Sequence, residues 1–419
     1  MSTSYKFYRI FEASLLALCL SLSVMSCRGD KADDIIPVDP PVEEETDEPV
    51  EPNTRSTISQ TVFMYLPWST DLKSYFITNI EGMEATWKVC HSSNERIVVF
   101  LADSGRKATL FELLYKKDGT VGRRTLKEYD NPTFTTAGGI AAILGDVVAY
   151  SPAERYSMII GSHGMGWIPV PRAKARRATD FKWHWEYDGE QRTRYFGGRS
   201  AEYQTDISAL AEGIHQAGIG MEYILFDDCY MSCVEVAYEL REVTHYLVAS
   251  TSEIMIDGMP YAEVGRYLLG EADYQSLCDG FYDFYSTFST PCGTIGVTDC
   301  SELDELAEWM RGINAQYAFD EDLLADVQTL DGYQPVIFFD MGDYVRKLCT
   351  DPVQLEEFEE ILARVVPYKR HTPTFYTTAG YSPRQIPINT YSGITISDPS
   401  VNAAAASKTE TAWYAATQK

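Results

Sequence analysis

Two apolar runs in this chain each end in a residue capable of covalent or proton-transfer chemistry. The first, in YSMIIGSHGMGW, delivers His163, followed by Gly164 and Gly166. The second, in MEYILFDDCYMSCVEVAYEL, delivers Cys229 at the head of a helical pattern. Short apolar runs bounded by polar breakers read as buried strands. In open α/β sheets the loops at the carboxyl ends of strands converge on one crevice. A histidine and a cysteine at two such exits can therefore meet on rigid supports, however far apart in sequence. The pattern points to a parallel-sheet fold and to a cysteine hydrolase.

The rest of the chain alternates in the same way. Thr61–Leu66, Arg96–Ala102, Ser157–Gly161, Tyr223–Phe226, Tyr246–Ala249 and Thr294–Val297 read as strands. Thr135–Val148, Ile207–Ala217, Ser232–Arg241 and Glu302–Tyr317 have helical spacing. Strands alternating with helices predict a three-layer α/β/α sandwich with a mainly parallel central sheet.

The first residues bear on location. Lys6 and Arg9 precede an apolar stretch, Ala13 to Met25, too short to span a bilayer and suited to a secretory signal. It ends Val24-Met25-Ser26-Cys27, which resembles a bacterial lipobox with Cys27 as the lipidated residue. The next segment, PVDPPVEEETDEPVEP, is proline and acid with almost no aliphatic content, the composition of an extended tether. The expected organisation is a lipoprotein signal at 1–26, a lipidated N-terminus and tether at 27–57, and a catalytic domain at 58–419. Residues 301–419 are either the C-terminal part of that domain or an appended lobe. The lipid would hold the protein to the outer membrane, facing either the periplasm or the cell surface.

A formal charge of −26 excludes nucleic acid as the expected partner, because phosphate contacts need clustered cations. Nine cysteines suggest a disulfide framework, but Cys19 leaves with the signal and Cys27 takes lipid. Those remaining besides Cys229 lack the dense spacing of a stapled scaffold, and most read as buried hydrophobes. No C-x-x-C pair or histidine-rich spacing indicates a metal, so no cofactor is expected from the residues.

A cysteine attacks as thiolate, and an imidazole can take the thiol proton and return it to a leaving amine. Gly164, without a side chain, lets its N–H approach a developing oxyanion. A helix starting just after Cys229 would favour the anion. Asp227 and Asp228 would oppose it if they point inward.

At these residues the chain resembles the clostripain family of cysteine peptidases, which share a caspase–gingipain type of fold. SHGMGW (Ser162–Trp167) resembles the family's histidine motif and DDCYMSCVEVAYELR (Asp227–Arg241) its cysteine motif. TVFMYLPWSTDL, TRYFGG, STSEIMIDGMPY and FFDMGDYV extend the likeness over nearly the whole chain after the tether. The resemblance implies a cysteine endopeptidase with a Cys229–His163 dyad, protein or peptide substrates, and cleavage after arginine or lysine. It also implies carboxylates in the primary pocket, with Asp227 at the motif position and Asp257 in the loop forming the other wall. Asp228 departs from the pattern, where a small residue commonly precedes the cysteine. Some relatives respond to calcium; the scattered acids here would permit a site without naming its ligands.

Pro171–Ala178 reads PRAKARRA, a cationic stretch in an acidic chain. It lies between the two motifs and offers Lys174, Arg176 and Arg177 as self-processing points, Arg177 preferred because small Ala178 follows it. Two other readings fit the same residues: a non-catalytic binding lipoprotein that keeps the fold, and an esterase or amidase using the same thiol.

Overall fold

The computed structural model describes residues 58–170, 196–379 and 384–418. The expected signal peptide, Cys27 and tether lie outside the described residues. So does the basic loop with Lys174, Arg176 and Arg177.

The chain runs β1 (Ile58–Leu66), α1 (Lys73–Cys90), β2 (Glu95–Ser104), β3 (Lys107–Tyr115), β4 (Val121–Asp130), α2 (Ala137–Tyr150) and β5 (Ala153–Gly161). Next come α3 (Ile207–Gln216), β6 (Met221–Asp227), α4 (Val234–Leu240), β7 (Thr244–Ala249), α5 (Tyr261–Val264), α6 (Tyr274–Ser286) and β8 (Thr294–Asp299). The remainder supplies α7 (Leu303–Gln316), β9 (Phe339–Asp340), α8 (Met341–Leu348), α9 (Pro352–Val365), β10 (Tyr368–His371), β11 (Thr374–Thr377), β12 (Arg384–Pro387), β13 (Thr395–Ile396) and α10 (Ala412–Thr417).

Among the described residues nine strands form one sheet, ordered β10-β8-β7-β6-β5-β1-β2-β3-β4. The five central strands pair parallel, and only β3 and β8 run against the rest. The sheet is therefore mainly parallel, as its unbroken apolar runs predict. Met158, Ile159 and Ile160 of β5 and Ile224, Leu225 and Phe226 of β6 are all buried, which requires cover on both faces. Helices α1, α5 and α6 pack together as one layer, while α2, α3, α4, α10 and α7 form a second contiguous one. In α3 the buried residues are Ile207, Leu210, Gly213 and Ile214, a single stripe at helical spacing.

Two features differ from the sequence expectations. The hairpin β3–β4 turns through Asp118-Gly119, with Gly119 at φ +82°, an Asp-Gly signal that sequence reading passed over. Its charged edge strand, with Arg123, Arg124 and Lys127, discourages further pairing. Helix α4 starts at Val234, not at Ser232. The Ser232 hydroxyl donates to the Gly393 carbonyl at 2.8 Å and its N–H to the Ser250 carbonyl at 2.9 Å, which hold this residue in the loop ahead of the helix.

The packing of α4 encloses an acid pair. Burial, reinforced by the charge of Asp398, pushes the Glu235 carboxyl up to about 8. Asp398 is itself raised to about 6 by burial, with Lys408 opposing. The folded state thus keeps a proton that the unfolded chain releases near 4.5, so stability falls as pH rises from there to about 8. Glu235→Gln keeps an acceptor for the Ser397 N–H, now at 2.7 Å, and removes the titration. Thermal melts should show the variant several degrees above wild type at pH 8 and coincident with it near pH 4.5. Parallel curves across that range would contradict the assignment.

Candidate active site

The parallel pairing of β5 with β6 ends at Gly161↔Asp227, and His163 and Cys229 each stand two residues beyond it. The register alone sets the two loops side by side. Further contacts clamp them. The Ser162 N–H donates to the Asp228 carboxylate across the gap between the strands. The Ser162 hydroxyl accepts from the Gly197 N–H at 2.7 Å, and the His163 N–H donates to the Gly197 carbonyl at 3.4 Å. Gly164 lies against the cysteine's own backbone: a Cβ there would sit 2.2 Å from the Cys229 carbonyl oxygen and 2.9 Å from its nitrogen. Only glycine fits.

His163 is 1% exposed, and its Nε2 lies 3.1 Å from Asp71 Oδ1. An ionised carboxylate only accepts, so Nε2 carries the proton and Nδ1 is the basic nitrogen of the neutral ring. The other oxygen of Asp71 takes Arg199 at 2.8 Å. Burial works against the Asp71 charge, but the hydrogen bond and charge of His163, with Arg199, hold its carboxyl below the usual range. Asp71 follows Thr70, whose φ of +61° is left-handed. Its N–H turns back to the Ser69 carbonyl at 2.7 Å. Sequence reading missed Asp71. The signal available was positional: β1 neighbours β5, and an acid follows its exit as His163 follows that of β5.

Cys229 is fully buried, and the Ile254 N–H donates to its Sγ at 3.4 Å. Because α4 begins only at Val234, with Cys233 as its cap residue, the helix does not start at the thiol as expected. Residues 229–233 are a loop, and Tyr230 within it has φ +61°.

Asp227 and Asp228 both point inward and are fully buried. Asp227 accepts from Asn79 Nδ2 at 2.6 Å, the Met259 N–H at 2.8 Å and the Tyr261 hydroxyl at 3.3 Å. It thereby joins the β6 exit to α1 and to the loop after β7. Asp257 is exposed at the tip of that same loop. The turn beside it is fixed by the Gly258 N–H bonding the Met255 carbonyl at 2.9 Å, and by the Tyr285 hydroxyl bonding the Gly258 carbonyl at 2.6 Å.

A cavity of 810 Å³ lies elsewhere, lined by Ile58, Asn94, Pro152 and Glu154 at the opposite ends of β1, β2 and β5. The candidate chemistry belongs to the strand exits, not to that cavity. Among the described residues no three His, Cys, Asp or Glu side chains are grouped to hold a metal ion, so no calcium ligands can be named from them. All seven described cysteines are unbridged. Among the described residues no helix is long and apolar enough to cross a membrane.

A nine-stranded, mainly parallel sheet with a histidine and a cysteine at adjacent strand exits is the architecture of a caspase-like cysteine protease. Residues 64–334 match the family model described as the clostripain family, and the chain belongs to that family. It is similar to a secreted C11 cysteine protease from Bacteroides thetaiotaomicron, "iotapain", at 56% identity and a TM-score of 0.80, covering 87% of this chain and 100% of that one. A clostripain from Bacteroides thetaiotaomicron in complex with the peptide inhibitor BTN-VLTK-AOMK matches at 62% identity and a TM-score of 0.52, covering 54% of this chain and 99% of that one. An inactive zymogen C11 protease from Parabacteroides distasonis, 24% identical, shares the fold with a TM-score of 0.71 over 87% of this chain and 99% of that one. No curated protein matches. The protein is a cysteine protease, a hydrolase of peptide bonds.

The tight seat of Gly164 generates a direct test. Gly164→Ala must displace the Cys229 backbone, a strain of about 1–3 kcal/mol in a packed site. Turnover of a peptide substrate should fall by on the order of 10²-fold, as misplacement of a reacting group does. Unchanged kcat in the folded variant would show that the two loops are not in contact during turnover.

Proposed function

We propose that Cys229 and His163 form the catalytic dyad of an endopeptidase that cleaves after arginine or lysine. The observation that carries this is the shared register of the two strand exits, with Gly164 pressed against the Cys229 backbone. His163 takes the thiol proton, and the Sγ anion attacks the scissile carbonyl carbon. The Gly164 N–H receives the developing oxyanion. The imidazolium returns its proton to the leaving amine, and water then hydrolyses the thioester, regenerating the thiol. Asp71 fixes the tautomer and stabilises the imidazolium, so the dyad works with a third, orienting carboxylate.

The preference for a cation rests on chemistry and on one relative. Burying an arginine head without a partner charge costs several kcal/mol, so its pocket should present carboxylates. Asp227 and Asp257, joined through the Met255–Met259 turn, are the proposed pair. The inhibitor bound to the 62% identical clostripain carries the peptide VLTK, which ends in lysine. Self-cleavage after Arg177, Arg176 or Lys174 follows from the same specificity meeting a cationic stretch between the motifs. Anchoring through Cys27 at the cell envelope agrees with the 56% identical relative being a secreted protease.

A biotinylated peptide trap ending in arginine should label wild type and neither Cys229→Ala nor His163→Ala. Labelling retained in Cys229→Ala, or a substrate profile favouring acidic or aromatic residues, would refute the reading. Asp71→Asn should lower kcat by on the order of 10²-fold, because the amide can hold the wrong tautomer. Intact-mass analysis should give two associated fragments for wild type and a single chain for Cys229→Ala. A fully active wild type that stays uncut would separate activity from processing.

A further inference from the structure

The residue after the nucleophile is held where an aromatic side chain does not normally go. Tyr230 has φ +61°, a left-handed conformation that costs a bulky L-residue about 1–2 kcal/mol. Such strain persists only when the surroundings over-determine it. Here they do so in three ways. The Tyr230 N–H donates to the Ser252 carbonyl at 3.0 Å. Its ring stacks on Phe338 with centroids 5.0 Å apart. Its hydroxyl donates to Glu253 Oε1 at 2.7 Å.

Glu253 is 1% exposed and has no role in the mechanism above. It gathers donors from a distant segment: the Thr377 hydroxyl at 2.5 Å, the Thr378 hydroxyl at 2.8 Å, and the Thr378 N–H at 3.0 and 3.1 Å to the two oxygens. The next residue is Ile254, whose N–H touches the Cys229 sulfur at 3.4 Å. One carboxylate therefore grips the residue after the nucleophile, carries the residue that contacts its sulfur, and anchors both to β11. Burial pushes the Glu253 carboxyl up, and the hydrogen bonds from Thr377, Thr378 and Tyr230 oppose that shift.

We propose that Glu253 is a positioning residue for the nucleophile, holding Tyr230 and the Ile254 N–H in the register that sets the Cys229 sulfur. The inference rests on the reading of Cys229 as nucleophile. A neutral amide at 253 would turn a donor toward the Thr378 donors and loosen the grip, with the packing volume unchanged. The sulfur would then sample several positions relative to the scissile carbonyl, which lowers kcat more than it raises KM.

Full-length Glu253→Gln, Tyr230→Phe and the double variant would be assayed on a fluorogenic arginine peptide. Each would also be titrated with iodoacetamide across pH, to read the reactivity of the Cys229 thiol directly. Glu253→Gln should lower kcat by about tenfold or more with KM within about threefold, and should change the iodoacetamide pH profile. Tyr230→Phe keeps the ring stack and should reproduce part of the loss. The double variant should be no worse than Glu253→Gln alone, because both cut one link. If Glu253→Gln does not fold, Tyr230→Phe decides by the same two readouts. A lower melting temperature with normal kcat per folded site and an unaltered iodoacetamide profile would overturn the proposal, leaving Glu253 a structural anchor only. An inactive Cys229→Ala alongside that result overturns the positioning role alone; an active Cys229→Ala removes the nucleophile and the proposal together.

Discussion

Everything at the site depends on β5 and β6 being parallel neighbours paired through Gly161↔Asp227. Pairing fixes not only which strands touch but which residues leave the sheet together. A slip of one residue would turn every side chain of one strand to the other face. It would also separate Ser162 from Asp228 and Gly164 from the Cys229 backbone. Burial on both faces makes such a slip costly, because Met158–Ile160 and Ile224–Phe226 would have to repack on both sides of the sheet at once. Asp71 reaches His163 by the same logic: β1 pairs with β5 through Tyr65↔Ile160, and Asp71 lies in the loop that β1 opens.

The strand exits are irregular, and irregular backbone inside a protein leaves N–H groups that need acceptors. This chain meets the need with buried carboxylates. Asp228 takes Ser162, Asp227 takes Met259, and Glu253 takes Thr378. Asp331 takes Tyr333, Ile337 and Phe338. Burial pushes the Asp331 carboxyl up to about 7, with the three backbone donors opposing. The acid in this sequence is therefore not only a solvating surface. Part of it ties the loops that form the site, which is why Asp228, a departure from its family's motif, has a use here.

Strain concentrates at the same place. Of three described non-glycine residues with left-handed backbone, Thr70 precedes Asp71 and Tyr230 follows Cys229. Neither threonine nor tyrosine signals such a conformation by type, as glycine or asparagine would. What holds them comes from far along the chain. For Tyr230 this is Phe338 together with a glutamate tethered to residues 377–379. The sequence places a helix from Ser232; the fold delays it to Val234 and holds residues 229–233 as a loop with Tyr230 left-handed.

The sequence by itself determined the alternation of strands and helices, the parallel core, and the residues at two strand exits. Each of these is a local pattern: an apolar run, a breaker, a chemically capable residue. The Asp-Gly turn of β3–β4 is equally local. Tertiary structure alone decided that Asp71, 92 residues before His163, orients the imidazole. It alone bound Ser232 to Gly393 ahead of α4, and brought Glu253 to the neighbour of Cys229 and to β11. Periodicity and capping signals act within one turn of helix or one strand. The polar contacts that finish this site join segments tens to more than a hundred residues apart, and only the assembled sheet sets which of them meet.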